Sequence, residues 1–521
     1  MRFLGGGCRN GVRVLVAGLA APLAVSSAAL VGVAAASAAG DAAGGLVTFT
    51  VDSLALNDPA ADCGDRSKRC TLRNALAAAE VIGADRDVRI EVASQLWDGA
   101  NLVSEGNIPF PTDAGEIEEA GVSLTPWDKG AVFRVTRPLE LDLGRRVHLI
   151  PPDGEDTSLV GVKEAAGLVV EAEDVRLRNF SDWYSYQSAI VFSAAADRSS
   201  LAGGQSIQSE NNHTNRQIVV MAGADGVSIS DYRLGRESSA ADGAAIALTR
   251  LTSSTGAVDT VSNLTVDDVV FDNTPSAPAN STCNSTDGTG CSADGLYLHG
   301  SVKVDGLTVQ NSVFQGFRQS GRQPIDAAAA GEMTNWEIRR NRFTDIQIKA
   351  NDSNSATVLL KAPSGSRPGP VRVHDNDFDN SATPAVQGPA IYFEGAEAAE
   401  STRPSGVFIE DNRFDGYNPT VKLLNGGAVT VRRNTFGAGT TSAAGTGTAE
   451  ETGTSGVMVT NSGQPTNRGI WTWYPTAASL TPCGFEVAVT PNSGAAKKGM
   501  APNMPADLDF YWTASKTAEV Y

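Results

Sequence analysis

The chain has 521 residues, a formal net charge of −18 and a pI near 4.7. An acidic chain of this kind repels the phosphate backbone, which argues against nucleic acid as a partner. Its four histidines are widely separated and have no H-x-x-x-H spacing, which argues against a histidine-built zinc site. The length fits either about three ordinary domains or one elongated repeat array.

The first segment, residues 1–38, is predicted to be a signal peptide. Three arginines and an apolar run from 14 to 33 precede Ala36-Ser37-Ala38, which fits the A-x-A rule for signal peptidase. The run is too short and too rich in alanine for a convincing permanent span, and an uncleaved N-terminal anchor is the competing interpretation. No later segment approaches the roughly 20 apolar residues of a membrane helix. We therefore expect an exported protein without a transmembrane segment after cleavage.

The next segment, residues 39–100, is predicted to be an N-terminal cap. Within it, CTLRNALAAAE (70–80) predicts a short helix with Thr71 as its N-cap. Its apolar residues recur at spacings of three and four on one face, namely Leu72, Ala75, Leu76 and Ala79. A helix of this type can cover the apolar end of a repeat array, which would otherwise recruit other chains.

Five cysteines follow the signal peptide, and four of them form two close pairs in turn-rich sequence. An oxidising compartment favours a local disulfide in each pair, namely Cys63–Cys70 and Cys283–Cys291. Neither pair has C-x-x-C spacing, which disfavours redox catalysis and zinc binding. Cys483 is left over, and an odd cysteine indicates a free thiol, an intermolecular bond or a partner further along the chain.

A repeated phrase predicts a coiled β architecture across residues 101–440. Each copy alternates apolar and polar residues, turns, and closes on an apolar residue. The copies are VSISDYRL (227–234), LTVDDVVF (264–271), LTVQNSVF (307–314), WEIRRNRF (336–343), VRVHDNDF (371–378), VFIEDNRF (407–414) and VTVRRNTF (429–436), with a degenerate copy from Val175. The period of two predicts strands with one buried face, such as Val371 and Val373 inward with Arg372 and His374 outward.

The end of each copy predicts a corner followed by a core phenylalanine. Asparagine tolerates a left-handed backbone and can bond to nearby main chain, so we expect it at the corner between two strands, in the form of Asn341, Asn376, Asn412 and Asn434. The closing residues are expected to stack in the core from coil to coil: Phe343, Phe378, Phe414 and Phe436. The alternation excludes an α-helical array, and a β-sandwich or propeller is the remaining alternative.

The repeat resembles that of right-handed parallel β-helix proteins in the pectate-lyase-like superfamily, which implies three stacked sheets from about 165 to 440. The segment 70–80 is similar to the C-S-L-R-E-A-I-x-x-A-N motif near the N-terminus of many secreted bacterial β-helix proteins, from which Asn74 and Glu80 depart. The expected fold class is therefore all-β, a right-handed parallel β-helix with a short N-terminal capping helix and a small C-terminal β segment.

Long parallel β-helices often bind or cleave polysaccharides in a groove along one sheet. The resemblance therefore implies that candidate functional residues project from one sheet. Hydrolases of this shape use paired carboxylates, and lyases use Ca²⁺ on clustered carboxylates. The candidate catalytic residues are Asp294 and His299 in CSADGLYLHGS, which share a face only if the strand bends at Gly295. The competing interpretation is an Asp-Gly turn followed by a core strand.

Candidate glycan contacts are aromatic rings, which stack on sugar faces, and outward-facing arginines. They are Trp183, Tyr184 and Tyr186 in DWYSYQ, together with Arg339 and Arg340. A core position and a solvated strand are the competing interpretations. HDNDFDN (374–380) offers carboxylates for Ca²⁺, but arginine occupies the same slot in other copies, so we expect a corner, with no metal and no cofactor.

The C-terminal part divides into a Gly/Thr/Ala-rich loop or linker at 441–470 and a β cap or the start of a β-sandwich at 471–521. Whether the natural chain continues beyond Tyr521 stays open. The expected function is binding or structural, in a secreted or cell-surface protein, with a polysaccharide or cell-surface glycan as the partner. The alternative is a polysaccharide lyase or glycoside hydrolase that acts in a groove of the β-helix.

Overall fold

The computed structural model describes most of the chain from residue 45 to residue 436 and short strands beyond it. The described ranges are 45–65, 67–119, 125–151, 162–208, 216–236, 243–250, 259–274, 293–317, 323–346, 355–362, 369–380, 389–394, 404–417, 421–424, 428–432, 434–436, 457–460, 470–473, 488–489 and 497–498.

The described residues are mostly β-strands, with one helix, α1 (Leu72–Glu80), and 3-10 turns at Ala114–Glu116 and Val162–Glu164. The first strands are β1 (Val47–Ser53), β2 (Val88–Asp98), β3 (Asn101–Val103), β4 (Gly106–Ile108), β5 (Gly130–Val135), β6 (Glu140–Asp142), β7 (Val147–Leu149), β8 (Ala165–Val170), β9 (Arg176–Ser181), β10 (Ser188–Phe192), β11 (Ser200–Gln208), β12 (Arg216–Met221), β13 (Ser228–Arg236), β14 (Gly243–Thr249), β15 (Thr260–Asp272), β16 (Ala293–Leu298), β17 (Lys303–Gln310) and β18 (Val313–Gln315).

The remaining strands are shorter and follow the same order of turns. They are β19 (Ile325–Ala327), β20 (Met333–Thr334), β21 (Trp336–Arg339), β22 (Arg342–Thr344), β23 (Val358–Lys361), β24 (Val371–His374), β25 (Asp377–Asp379), β26 (Ile391–Glu394), β27 (Pro404–Glu410), β28 (Arg413–Asp415), β29 (Val421–Leu424), β30 (Ala428–Arg432), β31 (Thr435–Phe436), β32 (Val457–Thr460), β33 (Ile470–Trp473), β34 (Ala488–Val489) and β35 (Lys497–Lys498).

Two long sheets hold almost all of the described strands. One has 11 strands in the order β5-β8-β10-β12-β14-β16-β19-β23-β26-β29-β32, and the other has 20 strands. Successive turns of the chain pair in parallel, for example β24 with β27 and β25 with β28. Each of these turns adds one strand to the 11-stranded sheet and a bent pair to the 20-stranded sheet. This stacking confirms the predicted all-β solenoid, a parallel β-helix.

The interior of the solenoid contains the predicted aromatic column. Val371 and Val373 are fully buried, as the alternation predicts. Ring centroids are 4.3 to 4.9 Å apart along Phe271, Phe314, Phe343, Phe378 and Phe414. The backbone of Phe436 pairs with that of Phe414, while its side chain lies outside the described part. Offset-stacked rings at these distances add to the burial energy of each coil.

The corner asparagines form a buried hydrogen-bonded ladder instead of adopting the left-handed backbone themselves. Positive φ occurs one residue earlier, at Arg340, Asp375 and Asp411, so the predicted backbone role of the asparagines was wrong. Asn376 Oδ1 accepts from Asn341 N at 2.9 Å, and its Nδ2 donates to Ile338 O at 2.8 Å. The slot requires an amide because an amide both donates and accepts.

The N-terminal segment contributes strands to the first coils of the solenoid. β1 pairs with β2, and β2 pairs with β6, so the solenoid begins within the range 39–100. Helix α1 forms as predicted, with Thr71 Oγ1 accepting from Asn74 N at 3.2 Å and its four apolar residues buried. The disulfide Cys63–Cys70 is present. Cys283, Cys291 and Cys483 lie outside the described residues.

Two arginines fix α1 to the solenoid. Arg73, the arginine of the 70–80 motif, donates to Val132 O at 2.8 Å and pairs with Glu118 at 3.2 Å. Arg137 donates to Ala79 O in the last turn of the helix, which also accepts from Ile82 N at 3.1 Å, and to Ile82 O just after the helix. The helix is therefore held at both ends by side chains that satisfy backbone carbonyls.

The solenoid extends further than the predicted residue 440. β32 lies inside the predicted linker and pairs with β29, and β33 pairs with β30. The short antiparallel strands β34 and β35 follow, and β34 contacts both β32 and β33. Strands of the solenoid sheets therefore occur within both predicted segments, 441–470 and 471–521. Within the described ranges, no helix has the length and apolar character that crossing a bilayer requires.

Candidate functional site

The outer face of the 11-stranded sheet carries a second apolar cluster, separate from the solenoid interior. Val169, Val191, Val219 and Ala247 share one register position on β8, β10, β12 and β14. All four side chains are fully buried, and they pack in a cluster distinct from the interior core. An outward-facing row on an uncovered sheet would be solvated, so this face is covered.

A short strap, residues 125–129, crosses this outer face. Its contacts follow successive strands: Glu164 before β8, Ser188 on β10, Arg216 on β12 and His299 after β16. Neighbouring strands lie about 4.8 Å apart, so the contacts from β10 to β16 span about 14 Å along the solenoid axis. The strap therefore runs along the axis and across the strands.

Four half-exposed side chains, named here the Trp127 cluster, meet where the strap lies on the sheet: Trp127, Arg216, Tyr297 and His299. The guanidinium carbon of Arg216 is 3.5 Å from the ring centroid of Trp127, a cation–π contact. The ring centroid of His299 is 4.8 Å from that of Trp127 and 6.0 Å from that of Tyr297. The small side chains of Ala244 and Ala247 belong to the apolar cluster against which Trp127 and Tyr297 pack.

His299 is held neutral by its surroundings. Its Nδ1 lies 3.3 Å from Thr249 Oγ1. Burial lowers the pKa of His299, and the positive charge of Arg216 lowers it further. The imidazole can therefore donate and accept hydrogen bonds at neutral pH without carrying charge.

Asp128 anchors the strap through a buried carboxylate. Its Oδ2 accepts from Ser188 Oγ at 2.6 Å and from Thr125 Oγ1 at 2.5 Å, while its buried Oδ1 has no hydrogen-bond partner. Burial raises the pKa of Asp128 to about 6, against the opposing effects of both hydroxyls, of the Arg216 charge and of the Ser188 backbone N–H. The loss of hydration therefore outweighs the hydrogen bonds that the carboxylate accepts.

The candidate catalytic residues Asp294 and His299 lie on this same outer face. Asp294 pairs with Ala244, a member of the outer apolar cluster. The backbone is close-packed at Gly295, where a Cβ would lie 2.4 Å from Pro324 O. Asp294 is 1% exposed, and its Oδ1 accepts from Gln323 N at 2.7 Å. The structure thus gives Asp294 a backbone partner and little access to solvent.

The three aromatic candidates lie in the core. Trp183 and Tyr184 are almost fully buried and Tyr186 is 7% exposed. The ring of Trp183 packs at 5.1 Å from Phe180, and Tyr184 OH donates to Ile207 O at 2.7 Å. In this arrangement the rings have no face to offer a sugar, because the chain itself covers them.

The two arginine candidates lie on the 20-stranded sheet, away from the Trp127 cluster. Arg339 Nε donates to Gln310 Oε1 at 3.0 Å, and Arg340 is exposed at the left-handed corner position. In HDNDFDN, Asp377 pairs with Arg413 at 2.9 Å across neighbouring coils. Within the described residues, no group of three or more His, Cys, Asp or Glu side chains is arranged to hold a metal ion.

Sequence reasoning missed Trp127, Asp128 and Arg216. Trp127 and Asp128 precede the repeats, and Arg216 follows a polar stretch, so none of them falls in a repeated slot. A signal was nevertheless present in the runs GLVV, AIVF, QIVVM and AAIAL, which are apolar at consecutive positions. Such runs indicate strands that are buried on both faces and therefore covered from outside.

Comparison of the chain with protein-family models, with curated proteins and with solved structures found no match.

Proposed function

We propose that the chain is an exported β-helix protein that binds glycans or other cell-surface material at the Trp127 cluster. One observation carries the proposal: the ring of Tyr297, the imidazole of His299 and the guanidinium of Arg216 stay partly exposed beside Trp127, on a sheet face whose neighbouring row is fully buried. Ligand sites typically combine an apolar floor with a few convergent polar groups. This face has both.

The chemistry of the cluster suits a sugar ring. An aromatic side chain such as Tyr297 offers an apolar face for the C–H groups of a sugar, and its polar tip can bond a hydroxyl. Arg216 and the neutral His299 supply further donors and an acceptor at the same place. The face already holds one planar ring, that of Trp127, against Arg216.

Export is supported by the N-terminal pattern and by the formed disulfide. Disulfides persist in oxidising compartments, and Cys63–Cys70 joins residues of the first coil. We expect the mature protein to appear in the medium or on the cell surface with its N-terminus at Ala39. N-terminal sequencing of the exported protein tests this, and an intact residue 1–38 segment on the mature protein would contradict it.

Binding is tested on an array of immobilised acidic and neutral polysaccharides and isolated cell walls. The wild type is expected to bind at least one class above background, and Arg216→Ala is expected to weaken that binding by tenfold or more. Circular dichroism of both proteins shows whether the β-structure is kept. Background signal on every surface, or full binding by the folded variant, would contradict the proposal.

Polysaccharide cleavage by a lyase or glycoside hydrolase is the second candidate. It is favoured by the raised pKa of Asp128, which fits a general acid, and by Asp294 on the same face. Both carboxylates are nearly inaccessible, at 6% and 1% exposed, which favours binding over cleavage. Release of new reducing or unsaturated ends that is lost in Asp294→Ala or Asp128→Ala would reverse this order.

A further inference from the structure

The strap is attached to the sheet by few contacts for a segment that covers a binding face. Its side-chain contacts with the sheet are the Ser188–Asp128 hydrogen bond and the packing of Trp127. Its end is held by Lys129, whose backbone N–H donates to Glu164 O at 2.6 Å and whose ammonium pairs with the Glu164 carboxylate at 2.7 Å, in an exposed position where ion pairs contribute little. In the described part of the chain, the side chain of Thr125 forms hydrogen bonds with Trp127 and Asp128, both within the strap.

We propose that the strap is a displaceable lid, in which Trp127 occupies the place of a ligand ring over Arg216 and the Asp128–Ser188 bond is the latch. This inference rests on the proposed glycan binding for its purpose, but the opening of the lid is measurable without any ligand. Displacing the strap exposes Arg216, Tyr297, His299 and the row that contains Val219.

The closed position of Asp128 is partly unfavourable, and this favours opening of the strap. The Asp128 carboxylate is 6% exposed and loses hydration when the strap is closed, whereas an open strap returns both carboxylate oxygens to water. The stacked pair of Trp127 and Arg216 is also the kind of contact that a ligand ring can replace with little loss, because a cation–π contact depends on a ring face of any origin. Ligand and strap therefore compete for the same surface.

The latch is expected to loosen as the pH rises. The groups around Asp128 are the Ser188 and Thr125 hydroxyls, the charge of Arg216 on β12, and the Lys129–Glu164 pair, with His299 beyond Trp127. The pKa of Asp128 is about 6 when the strap is closed and near 3.8 when it is solvated. The closed form thus binds the proton more tightly, so closure is favoured most below pH 4 and least above pH 6.

Hydrogen exchange of the backbone amide of Lys129, which donates to Glu164 O at 2.6 Å outside the strap, tests the lid directly. After correction for intrinsic rates, the open fraction is expected to rise roughly fiftyfold from pH 4 to pH 7. Asp128→Asn removes the titrating group and keeps the shape, so its exchange should lose this dependence. Ser188→Ala removes one donor and should raise exchange at both pH values.

Two results would contradict the lid proposal. One is a corrected exchange that is independent of pH in the wild type, and the other is a pH dependence that Asp128→Asn leaves intact, which would assign it to another group such as His299. Circular dichroism verifies that the variants are folded, and the wild-type titration decides the matter even if a variant does not fold.

A binding experiment tests the lid proposal and the glycan proposal separately. Titration of an oligogalacturonate and of a neutral β-glucan oligosaccharide into Trp127→Ala at pH 7 should show severalfold tighter binding than to the wild type, because the competitor is gone. Weaker binding by Trp127→Ala would overturn the competition and make Trp127 a platform for the sugar. If neither protein binds either probe, the glycan proposal loses its support while the exchange result still decides whether the strap opens.

Discussion

The outer faces of the two long sheets differ sharply although their backbones form similar parallel ladders. On the 20-stranded sheet, outward positions carry charges that pair from coil to coil, as Asp377 and Arg413 do at 2.9 Å and Arg342 and Asp379 do at 3.7 Å. On the 11-stranded sheet, the outward row is apolar and fully buried from β8 to β14, as Val191 and Val219 show. The first face is solvated, and this part of the second is covered.

The difference shows that the repeat specifies the inside of the solenoid, whereas the character of the outer face depends on the outward residues of each individual turn. A row of paired charges keeps a sheet face in water and prevents edge and face association. A buried outward row needs a cover, and the strap with Trp127 is part of that cover. The half-exposed polar groups gather at the margin of this cover, which is where we place the binding site.

A charge introduced on each outer face gives the largest contrast. Val219→Lys places an ammonium in the fully buried row and is expected to cost about 3–5 kcal/mol of unfolding free energy. Thr308→Lys places the same group on the 20-stranded sheet, next to Glu337 in the register, and should change stability by about 0.5 kcal/mol or less. Urea denaturation measures both. Similar losses in the two variants would remove the contrast between the faces.

The 20-stranded sheet has a buried polar row of its own at the corner, which sharpens the comparison. Asn376→Ala leaves the buried Asn341 N–H and Ile338 C=O without their partner and is expected to cost about 2–3 kcal/mol. Arg342→Ala, at the exposed first position of β22, is the control and should cost about 0.5 kcal/mol or less. If Asn376→Ala unfolds at the same urea concentration as the control, the ladder contributes no stability.

The buried carboxylate of the 11-stranded sheet predicts a smaller, pH-dependent effect. Burial raises the pKa of Asp128 to about 6, so its protonated form stabilises the folded state below pH 4, and this stabilisation is lost as the pH rises through 6. Asp128→Asn should therefore gain about 2 kcal/mol relative to the wild type between pH 4 and pH 7. Thermal unfolding at both pH values measures the difference, and a constant difference would contradict the raised pKa.

The inside of the solenoid was predictable because it follows a short periodic rule. Alternation by two placed Val371 and Val373 inward, and the closing residues of the copies predicted the column through Phe343 and Phe378. Helix α1 was predictable for the same reason, since four small apolar residues recur at helical spacing. Each of these elements is specified by local sequence that repeats or has a known period.

The candidate site was not predictable in this way because tertiary contacts between distant turns assemble it. Trp127 meets Arg216 and His299, which are 89 and 172 positions further along the chain. Trp183 was a candidate contact because its neighbours are aromatic, but the same apolar character buries it. The corner asparagines bond to main chain as predicted, but the ladder that they form between coils was not predictable, because it is not visible in a single copy.

The central claim, that the 11-stranded sheet presents the binding face, is tested by a matched pair of arginine variants. Arg216 lies 3.5 Å from the ring centroid of Trp127 on one outer face, and Arg372 lies 4.5 Å from that of Phe408 on the other. Isothermal titration of the best array ligand into Arg216→Ala should show at least tenfold weaker binding, and Arg372→Ala should bind like the wild type. Unchanged binding by Arg216→Ala together with a loss in Arg372→Ala would place the binding face on the 20-stranded sheet and contradict the account.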